Sequence, residues 1–208
     1  MTKALRGSLR LYAVVPAAEA SALSMRRGFS LLNCGPVTAL FGWPPDPVDP
    51  LRAALWHDRT VRLAVAKCSS VVPFRLGMDF ASKAELRAAV RGKALHLAQQ
   101  LERFQGRVEM GLKVRLPAAT AGSSPGWPGG LDPIRALAPK PSDRCEGFSL
   151  GLDGKIFTGC YLVARGAVAD FWAAVQEIHR LAPELPALGS GPWAPYSFCA
   201  PSPREDLP

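Results

Sequence analysis

The stretch from Val71 to Leu116 constrains the fold more than any other part of the sequence, because it predicts a strand, a helix and a second strand joined by short connections. Its first segment, Val71 to Leu76, is mostly apolar and begins with two β-branched valines, which is typical of a strand. Pro73 cannot donate a backbone hydrogen bond, so this strand is expected at a sheet edge or a bulge. We expect the rest of the chain to be organised around this stretch.

The helix within this stretch is predicted from its capping residues and its apolar spacing. Ser82 and Glu85 form a capping box, and apolar residues then recur every three or four positions as far as Phe104. This pattern predicts one continuous helix that ends at Gly106. From Val108 to Val114 apolar and polar residues alternate, which predicts a strand with one buried face.

The residues before this stretch predict three strands and a helix. The strands are expected at 9–15, 29–34 and 37–42. Asp49 followed by Pro50 is typical of a helix N-terminus, and the helix is expected to continue to about Cys68. The side of this helix that is predicted to be buried contains Leu51, Ala54, Leu55, Val61 and Val65.

The residues after the stretch predict a loop, a hairpin, a helix and a last strand. Segment 117–147 is rich in proline and glycine and is interpreted as a loop. Asp153-Gly154 is typical of the two-residue turn of a hairpin. The strands and the helix are expected, in chain order, at 148–152 (strand), 155–163 (strand), 168–181 (helix) and 193–199 (strand).

Together these elements predict an α+β protein made of two small domains. The N-terminal α+β domain is expected at 1–105 and the C-terminal one at 106–208, with the Pro/Gly-rich loop 117–147 inside the second. The order of strands and helix in the second domain approximates a ferredoxin-like fold whose first helix is shortened or missing.

Composition and charge limit the classes of protein to which this chain can belong. Of the 208 residues, 48% are hydrophobic and 20% are charged, which is typical of a globular protein, and no apolar run approaches the roughly 18 residues that span a membrane. The five cysteines form no CxxC pair, which favours reduced thiols in the cytoplasm. The net charge of +8 is concentrated in residues 1–116. This positive charge is compatible with binding to nucleic acid, to an anionic membrane surface or to an acidic protein, and equally with a solvated surface that binds nothing.

The sequence predicts a binding protein more than an enzyme. Phosphate-loop, dinucleotide, zinc-protease and hydrolase motifs (GxxxxGK[ST], GxGxxG, HExxH, GxSxG) do not occur, and no cofactor or metal is expected. His57, beside Asp58, is the histidine with most chemical interest. We interpret it as a structural hydrogen-bonding residue, with a catalytic role as the alternative.

Candidate protein-binding residues lie first in the two strands of the stretch. Arg75 follows Phe74 in an apolar run, so it needs a partner if it is buried. Glu109 is its expected partner from the facing strand, and Lys113 lies on the same side of that strand. These residues form either an ion pair between strands that fixes their register or an exposed groove that receives another protein.

Two aromatic residues near the C-terminus are the second candidates. Trp193 directly follows Pro192, and Tyr196 directly follows Pro195. The two prolines stiffen the backbone of this stretch. Rigid aromatic side chains lose little entropy on binding, so they are good anchors for a protein partner. Alternatively, they close the core of the second domain.

The order of five segments adds a resemblance to a known family. LRLYAVV, VPFRLGMDF, GRVEMGLKVRL, GCYLVAR and GPWAPYSFC occur in this order, and together they resemble the GvpF/GvpL family of gas vesicle accessory proteins. The chain departs from that family in its short, proline-broken middle segment and in Ala194, where the family has a further proline.

The resemblance implies a function. It implies a two-part fold and an accessory protein that assists assembly of the gas vesicle shell by binding the hydrophobic shell protein, as a chaperone or a minor structural component. The implied partners are that shell protein and other accessory proteins, in the cytoplasm or on the vesicle, without nucleic acid or membrane. The alternative from charge alone is a basic α+β module that binds nucleic acid.

Overall fold

The computed structural model describes residues 8–23, 28–43, 49–117, 141–151 and 154–199, which form an α+β protein with two antiparallel sheets. The chain divides into two compact units. The first unit comprises Met1–Gly106 and Ala194–Pro208, and the second unit comprises Arg107–Trp193. Each unit contains one of the two sheets.

The first unit is organised around its first strand. Its elements are β1 (Leu9–Pro16), a 3₁₀ helix (Ala17–Leu23), β2 (Ser30–Asn33), β3 (Val37–Gly42), α1 (Pro50–Lys67), β4 (Val72–Pro73), β5 (Asp79–Phe80), α2 (Lys83–Gly92), α3 (Ala94–Phe104) and a 3₁₀ helix (Tyr196–Phe198). The sheet order is β2-β3-β1-β4, and β5 also pairs with β1. All of these pairings are antiparallel. The predicted strands at the start of the chain are confirmed, although β2 is shorter than expected.

The prediction of one continuous helix after Ser82 is wrong, because α2 and α3 are separate helices. The break lies at Lys93, whose backbone angles (φ −115°, ψ 13°) are not helical. Gly92 precedes it, and glycine is a poor helix former because it loses the most backbone entropy. The capping box and the buried face are nevertheless confirmed. Ser82 accepts from the backbone of Glu85, and the residues buried on the two helices include Leu86, Val90, Leu97, Leu101 and Phe104.

The strand expected at 71–76 is much shorter than predicted. β4 contains two residues and pairs with β1 at Ala13 and Val14. The short β5 follows it and pairs with the beginning of β1, and the sequence analysis did not predict it. Both strands lie at the edge of the sheet, where Pro73 is tolerated because its missing N–H faces no further strand.

Helix α1 begins where it was predicted to begin, but its buried side differs from the prediction. The carboxylate of Asp49 accepts hydrogen bonds from the backbone N–H groups of Leu51 and Arg52, as expected of an N-cap. Leu51 and Leu55, which were expected in the core, are 67% and 54% exposed. Val61 is buried as predicted, and the other buried residues of α1 are Ala53, His57, Thr60 and Ala64.

The second unit is one sheet with a helix on one face. Its elements are β6 (Arg107–Pro117), β7 (Asp143–Gly151), β8 (Gly154–Ala164), a 3₁₀ helix (Arg165–Ala167), α4 (Val168–Leu181) and β9 (Ala187–Trp193), and the sheet order is β7-β8-β6-β9. The side chains that alternate inward from β6 are buried, namely Val108, Met110, Leu112 and Val114. Phe171 of α4 contacts Tyr161 of β8, and a Cβ at Gly189 of β9 would lie 2.5 Å from the Trp172 ring of α4, so α4 packs closely on this face.

Two predictions in the second unit need correction. β7 begins at Asp143, so the expected loop 117–147 overlaps strands at both ends, and its residues 118–140 lie outside the described part. The last strand is β9 and precedes the predicted range 193–199, because Gly191-Pro192 lies within the strand rather than before it. β9 is an edge strand in the sheet order, where proline is tolerated. Asp153 of the predicted turn is also outside the described residues.

The residues that follow β9 belong to the first unit. Ala194 and Tyr196 pack on the same core cluster as Tyr12 and Leu40, although the predicted boundary at 105/106 assigned them to the second domain. Sequence order alone suggested that assignment, because a return of the chain to the first unit leaves no local signal.

His57 ties α1 to the backbone that follows β4. The His57 ring is buried, and its Nε2 lies 2.8 Å from the carbonyl oxygen of Phe74. A carbonyl only accepts, so Nε2 carries the hydrogen and donates it. Burial lowers the pKa of His57, with the bond to Phe74 acting in the opposite direction. The ring is therefore neutral near pH 7, which agrees with the structural role predicted for it.

We expect the free energy of unfolding to fall as the pH is lowered from about 7.5 to about 5.5. The pKa of His57 in the unfolded chain is near the ordinary 6.5, whereas burial lowers the pKa in the folded chain. The unfolded state therefore binds more protons in this range, and stability is lost by up to about 1.4 kcal/mol per pH unit. His57→Gln keeps a donor for Phe74 but does not titrate, so urea denaturation at each pH should show a smaller loss.

His96→Gln is the matched control for this prediction. His96 is exposed on α3, so its removal should leave the pH dependence of the wild type. Equal losses of stability in the wild type and in His57→Gln would show that His57 is not the group responsible.

Candidate protein-binding surfaces

The six residues proposed from the sequence divide between the two units. Phe74, Arg75 and Tyr196 belong to the first unit, whereas Glu109, Lys113 and Trp193 belong to the second. They are therefore considered as two sets.

The first set does not form one exposed surface. Phe74 is buried, its N–H donates to the carbonyl of Tyr12, and its own carbonyl accepts from His57. Tyr196 is half-buried against the core of the first unit, and its hydroxyl lies 3.4 Å from Nε2 of His57. Only Arg75 is exposed, so in this set only Arg75 is fully available to a partner.

We predicted that Arg75 and Glu109 form an ion pair that fixes the register of two neighbouring strands. This prediction is wrong. β4 pairs with β1, whereas β6, which carries Glu109, pairs with β8 and β9. Arg75 also lies beyond the end of β4 and is exposed, so it carries no burial cost that requires a partner.

The second set lies on one face of the second sheet. Glu109 and Lys113 are four residues apart on β6 and so point to the same side. Trp193 of β9 is the register partner of Glu109, and Leu188 is the partner of Lys113. Directly paired residues share a face, so all four side chains lie on the side away from α4. We call Glu109, Lys113, Leu188 and Trp193 the sheet face.

The sheet face differs in exposure along its length. Leu188 is 66% exposed and Lys113 is exposed beside it. Trp193 is half-buried and Glu109 is buried. The end formed by Leu188 and Lys113 therefore offers an apolar and a cationic group directly to a partner, and Trp193 offers part of its ring.

The outward side of α1 is a second surface, which the sequence analysis missed. Leu51 and Leu55 are separated by one helical turn and are both exposed, with Arg52, Arg59 and Arg62 exposed on the same helix. We call these five residues the α1 face.

The α1 face is basic as well as apolar. The helix carries four Lys and Arg residues and one acidic residue, Asp58. Arg62 lies 2.8 Å from Asp58 and Arg52 lies 3.7 Å from Asp49, but all four side chains are largely exposed, so these pairs are weak. The α1 face therefore keeps a positive potential around two exposed leucines.

The signal that could have identified this surface was the stripe of small residues on the opposite side of α1. Ala53, His57, Thr60, Val61 and Ala64 recur at helical spacing, but they are small or polar. The larger leucines were assigned to the core because large apolar residues are usually buried. Small residues face the sheet here because they let α1 approach β1 closely.

Two further features concern metal ligands and membrane-spanning helices within the described residues. Within residues 8–23, 28–43, 49–117, 141–151 and 154–199, His, Cys, Asp and Glu side chains do not gather in groups of three that could hold a metal ion. In the same residues, none of the helices combines the length and apolarity needed to cross a membrane.

Comparison with known proteins relates the chain to a family. Residues 9–124 and 133–200 match the profile of the family described as gas vesicle synthesis protein GvpL/GvpF. Gas vesicle protein F2 of Halobacterium salinarum is 31% identical over 158 residues, which are 71% of this chain and 64% of that protein. Gas vesicle protein F of Haloferax mediterranei is 33% identical over 137 residues, which are 62% of this chain and 60% of that protein. The chain thus spans somewhat less than two thirds of the length of these curated relatives.

Two crystal structures share the fold. GvpF from Anabaena sp. PCC7120 has a TM-score of 0.72 at 17% identity, covering 94% of this chain and 97% of that chain. GvpF from Microcystis aeruginosa has a TM-score of 0.71 at 14% identity, covering 92% of this chain and 98% of that chain. At these identities the likeness concerns the fold alone. Because the family profile matches most of the sequence, the chain belongs to the GvpL/GvpF family of gas vesicle synthesis proteins.

Proposed function

We propose that this chain is an accessory protein that assists assembly of the gas vesicle shell by binding the hydrophobic shell protein. Membership of the GvpL/GvpF family, which is described as gas vesicle synthesis proteins, supports this proposal. The observation that carries the binding role is the α1 face, where Leu51 and Leu55 remain exposed although the same helix has a buried side. Exposed apolar groups that are surrounded by polar residues are typical of protein interaction sites.

The binding energy available at the α1 face suits a client that must be released. Full burial of a leucine side chain contributes about 1.5–3 kcal/mol. Leu51 and Leu55 are already partly buried, so they supply less than two full side chains. A contact of this size holds an apolar segment and still lets it leave when the shell polymerises.

The basic residues of the α1 face attract an acidic partner to it. Arg52, Arg59 and Arg62 surround the leucines with positive charge. Such charges steer an acidic partner and raise the rate of association more than the final affinity. The client segment that fits this face is amphipathic, with apolar residues flanked by carboxylates.

The sheet face is the second proposed contact. Trp193 and Leu188 lie on β9, an edge strand of the second sheet, with Lys113 beside them on β6. An edge strand can pair with an extended segment of a partner, while side chains on its face determine which segments fit. An unassembled shell subunit has unpaired edges of its own that such a strand would cover.

The same proposal assigns the chain to the cytoplasm and to the growing vesicle. Binding is its activity, without a catalytic step or a cofactor. Other gas vesicle accessory proteins are proposed as further partners, because a client that this chain releases during assembly must then be bound by another protein.

We further propose that the second unit is a ferredoxin-like fold with a shortened or missing first helix. The support is its strand order, in which the second, third, first and fourth strands of the unit are neighbours. Helix α4 connects the third strand to the fourth, as the second helix of that fold does. Residues 118–140, which connect the first strand of this unit to the second, are outside the described part.

The test of the α1 face is capture of the shell protein from cells that express both proteins, with washes at low and at high salt. We expect the tagged wild type to retain soluble shell protein at both salt concentrations, because apolar contacts resist screening. Leu51→Gln combined with Leu55→Gln should reduce the retained shell protein at least fivefold. Leu95→Gln is the matched control, because Leu95 is 79% exposed on α3, outside the α1 face.

Unchanged capture by the double variant would exclude the α1 face as the contact. Circular dichroism and thermal melting should give wild-type values for both the double variant and Leu95→Gln, because each change is made at an exposed position.

The sheet face has a separate test in the same assay. Trp193→Ala should weaken retention of the shell protein at high salt, because it removes part of an apolar contact beside β9. Trp43→Ala is the control, since Trp43 is 61% exposed and lies in the first unit. If both variants capture equally well, Trp193 is not an anchor and its ring only packs within its own unit.

A second candidate function is binding of nucleic acid, which the arginines of the α1 face favour. Lys and Arg contacts to phosphates release counterions, so affinity would fall steeply and linearly with the logarithm of the salt concentration. Shell protein lost at both salt concentrations, together with DNA binding of this salt dependence, would favour this candidate over the first.

A further inference from the structure

Two cysteines lie directly opposite each other in the second sheet. Cys145 of β7 and Cys160 of β8 are register partners in the antiparallel pairing of these strands. Directly opposite residues in such a pair have Cα atoms about 4.5 or 5.5 Å apart and side chains on the same face. The Cα atoms that a disulfide joins lie about 4.4–6.8 Å apart. The backbone of β7 and β8 therefore holds the two thiols within the range of a disulfide.

The strand pairing on both sides of the cysteines is regular. β7 and β8 pair without a register shift from Asp143 and Leu162 to Gly151 and Gly154. β8 is also paired along its length with β6, again without a shift. The hydrogen bonds of the sheet therefore fix the two cysteine backbones opposite each other, so a disulfide forms by rotation of the side chains without a change of register.

The cysteine pair lies on the side of the second sheet away from α4. Tyr161 contacts Phe171 of α4, so Cys160, its neighbour on β8, points to the other side, and Cys145 shares that side. The residue of β6 opposite Cys160 is Gly111, which has no side chain. Cys145 is exposed and Cys160 is half-buried. A small oxidant in solvent therefore reaches Cys145 first, with Cys160 beside it as the second thiol.

The other three cysteines of the chain are placed differently. Cys34 and Cys68 are buried, and burial raises the pKa of the Cys34 thiol. Cys199 is half-buried, and its thiol donates to two backbone carbonyls. Buried thiols react slowly, because the thiolate is the nucleophile. All three belong to the first unit, and Cys145 and Cys160 are the only cysteines in the sequence of the second.

We propose that Cys145 and Cys160 are a peroxide-sensitive thiol pair whose reversible disulfide fastens β7 to β8. The sulfur of Cys145 attacks one oxygen of hydrogen peroxide, the O–O bond breaks, and a sulfenic acid and water form. The sulfur of Cys160 then attacks the sulfur of Cys145, the S–O bond breaks, and the oxygen leaves as a second water with the proton of the Cys160 thiol. The two thiols are oxidised and the peroxide is reduced. A small dithiol reverses the change by thiol–disulfide exchange.

The disulfide acts on an edge strand. β7 is at one end of the sheet order, and edge elements take part in local openings more readily than central ones. A covalent bond between β7 and β8 restricts the opened state more than the paired state, so it disfavours opening. In a reducing compartment a thiol pair of this kind is oxidised only transiently, which makes the fastening of β7 responsive to peroxide. The disulfide does not depend on the binding of a shell protein.

The first experiment identifies the disulfide in the full chain. The purified protein is treated with hydrogen peroxide, the remaining thiols are blocked with iodoacetamide, and the protein is digested with trypsin without a reductant. Cleavage after Arg144, Lys155 and Arg165 places the two cysteines on separate peptides, 145–155 and 156–165. We expect these two peptides to be joined, with a mass lower than their sum by two hydrogens, and to separate when dithiothreitol is added.

Two other products in the same digest would overturn the proposal. One is peptide 145–155 carrying a sulfinic acid while peptide 156–165 is alkylated, which would mean that the second thiol does not reach the first. The other is peptide 145–155 joined to a second copy of itself, which would mean that the exposed thiol reacts between molecules.

The variant that tests the order of the two steps is Cys160→Ser. Without the second thiol, the sulfenic acid of Cys145 should persist and be trapped by dimedone, whereas the wild type should form the disulfide and take up little dimedone. Cys199→Ser is the matched control, because Cys199 is also half-buried but belongs to the first unit, and it should behave as the wild type. Equal uptake of dimedone at Cys145 in the wild type and in Cys160→Ser overturns the proposal.

The second experiment measures the fastening of β7 by hydrogen exchange. Amides of β7 should exchange at least about tenfold more slowly in the oxidised protein than in the reduced protein, because the disulfide disfavours local opening. Cys145→Ser, which is changed at an exposed position, should show the same exchange rates in β7 with and without peroxide. Equal rates in the oxidised and reduced wild type overturn the proposal.

Discussion

The packing of α1 against β1 is the contact on which the first unit depends. From Leu11 to Val15 β1 is fully buried, and it pairs with β3 on one edge and with β4 and β5 on the other. Small side chains on α1 allow a close approach to this strand. The cost is that polar groups of α1 and β1 enter the core, and each of them needs a partner. The bond from His57 to the Phe74 carbonyl meets part of that need and determines how the helix is rotated.

Local sequence patterns predicted a helix or strand well where its formation depends only on residues close together in the chain. The N-cap at Asp49, the alternating strand β6 and the helix at 168–181 follow from residues within a few positions of each other. The predictions were wrong where the structure depends on contacts between segments that are far apart in sequence. The pairing of β4 with β1, and the return of Ala194 to the first unit, depend on contacts far apart in sequence, which periodicity cannot reveal.

The candidate surfaces follow the same division. A period of two placed Glu109 and Lys113 on one side of a strand, and the structure agrees. That Trp193 lies opposite Glu109 required the strand order, which places β9 next to β6. The side of α1 that is exposed could not be deduced, because both sides have helical spacing. The choice between them depends on which residues let the helix approach the sheet, and residue size was the signal that could have decided it.

The two proposed surfaces are chemically different, and this bears on how a client could be held and released. The α1 face combines leucines with arginines, whereas the sheet face combines Trp193 and Leu188 with a cation on a neighbouring strand. Each is small, so each alone supports only a weak contact. A weak contact of either kind suits the proposed function, because burial of one apolar side chain contributes only about 1.5–3 kcal/mol, so a growing shell that competes for the bound segment can remove it.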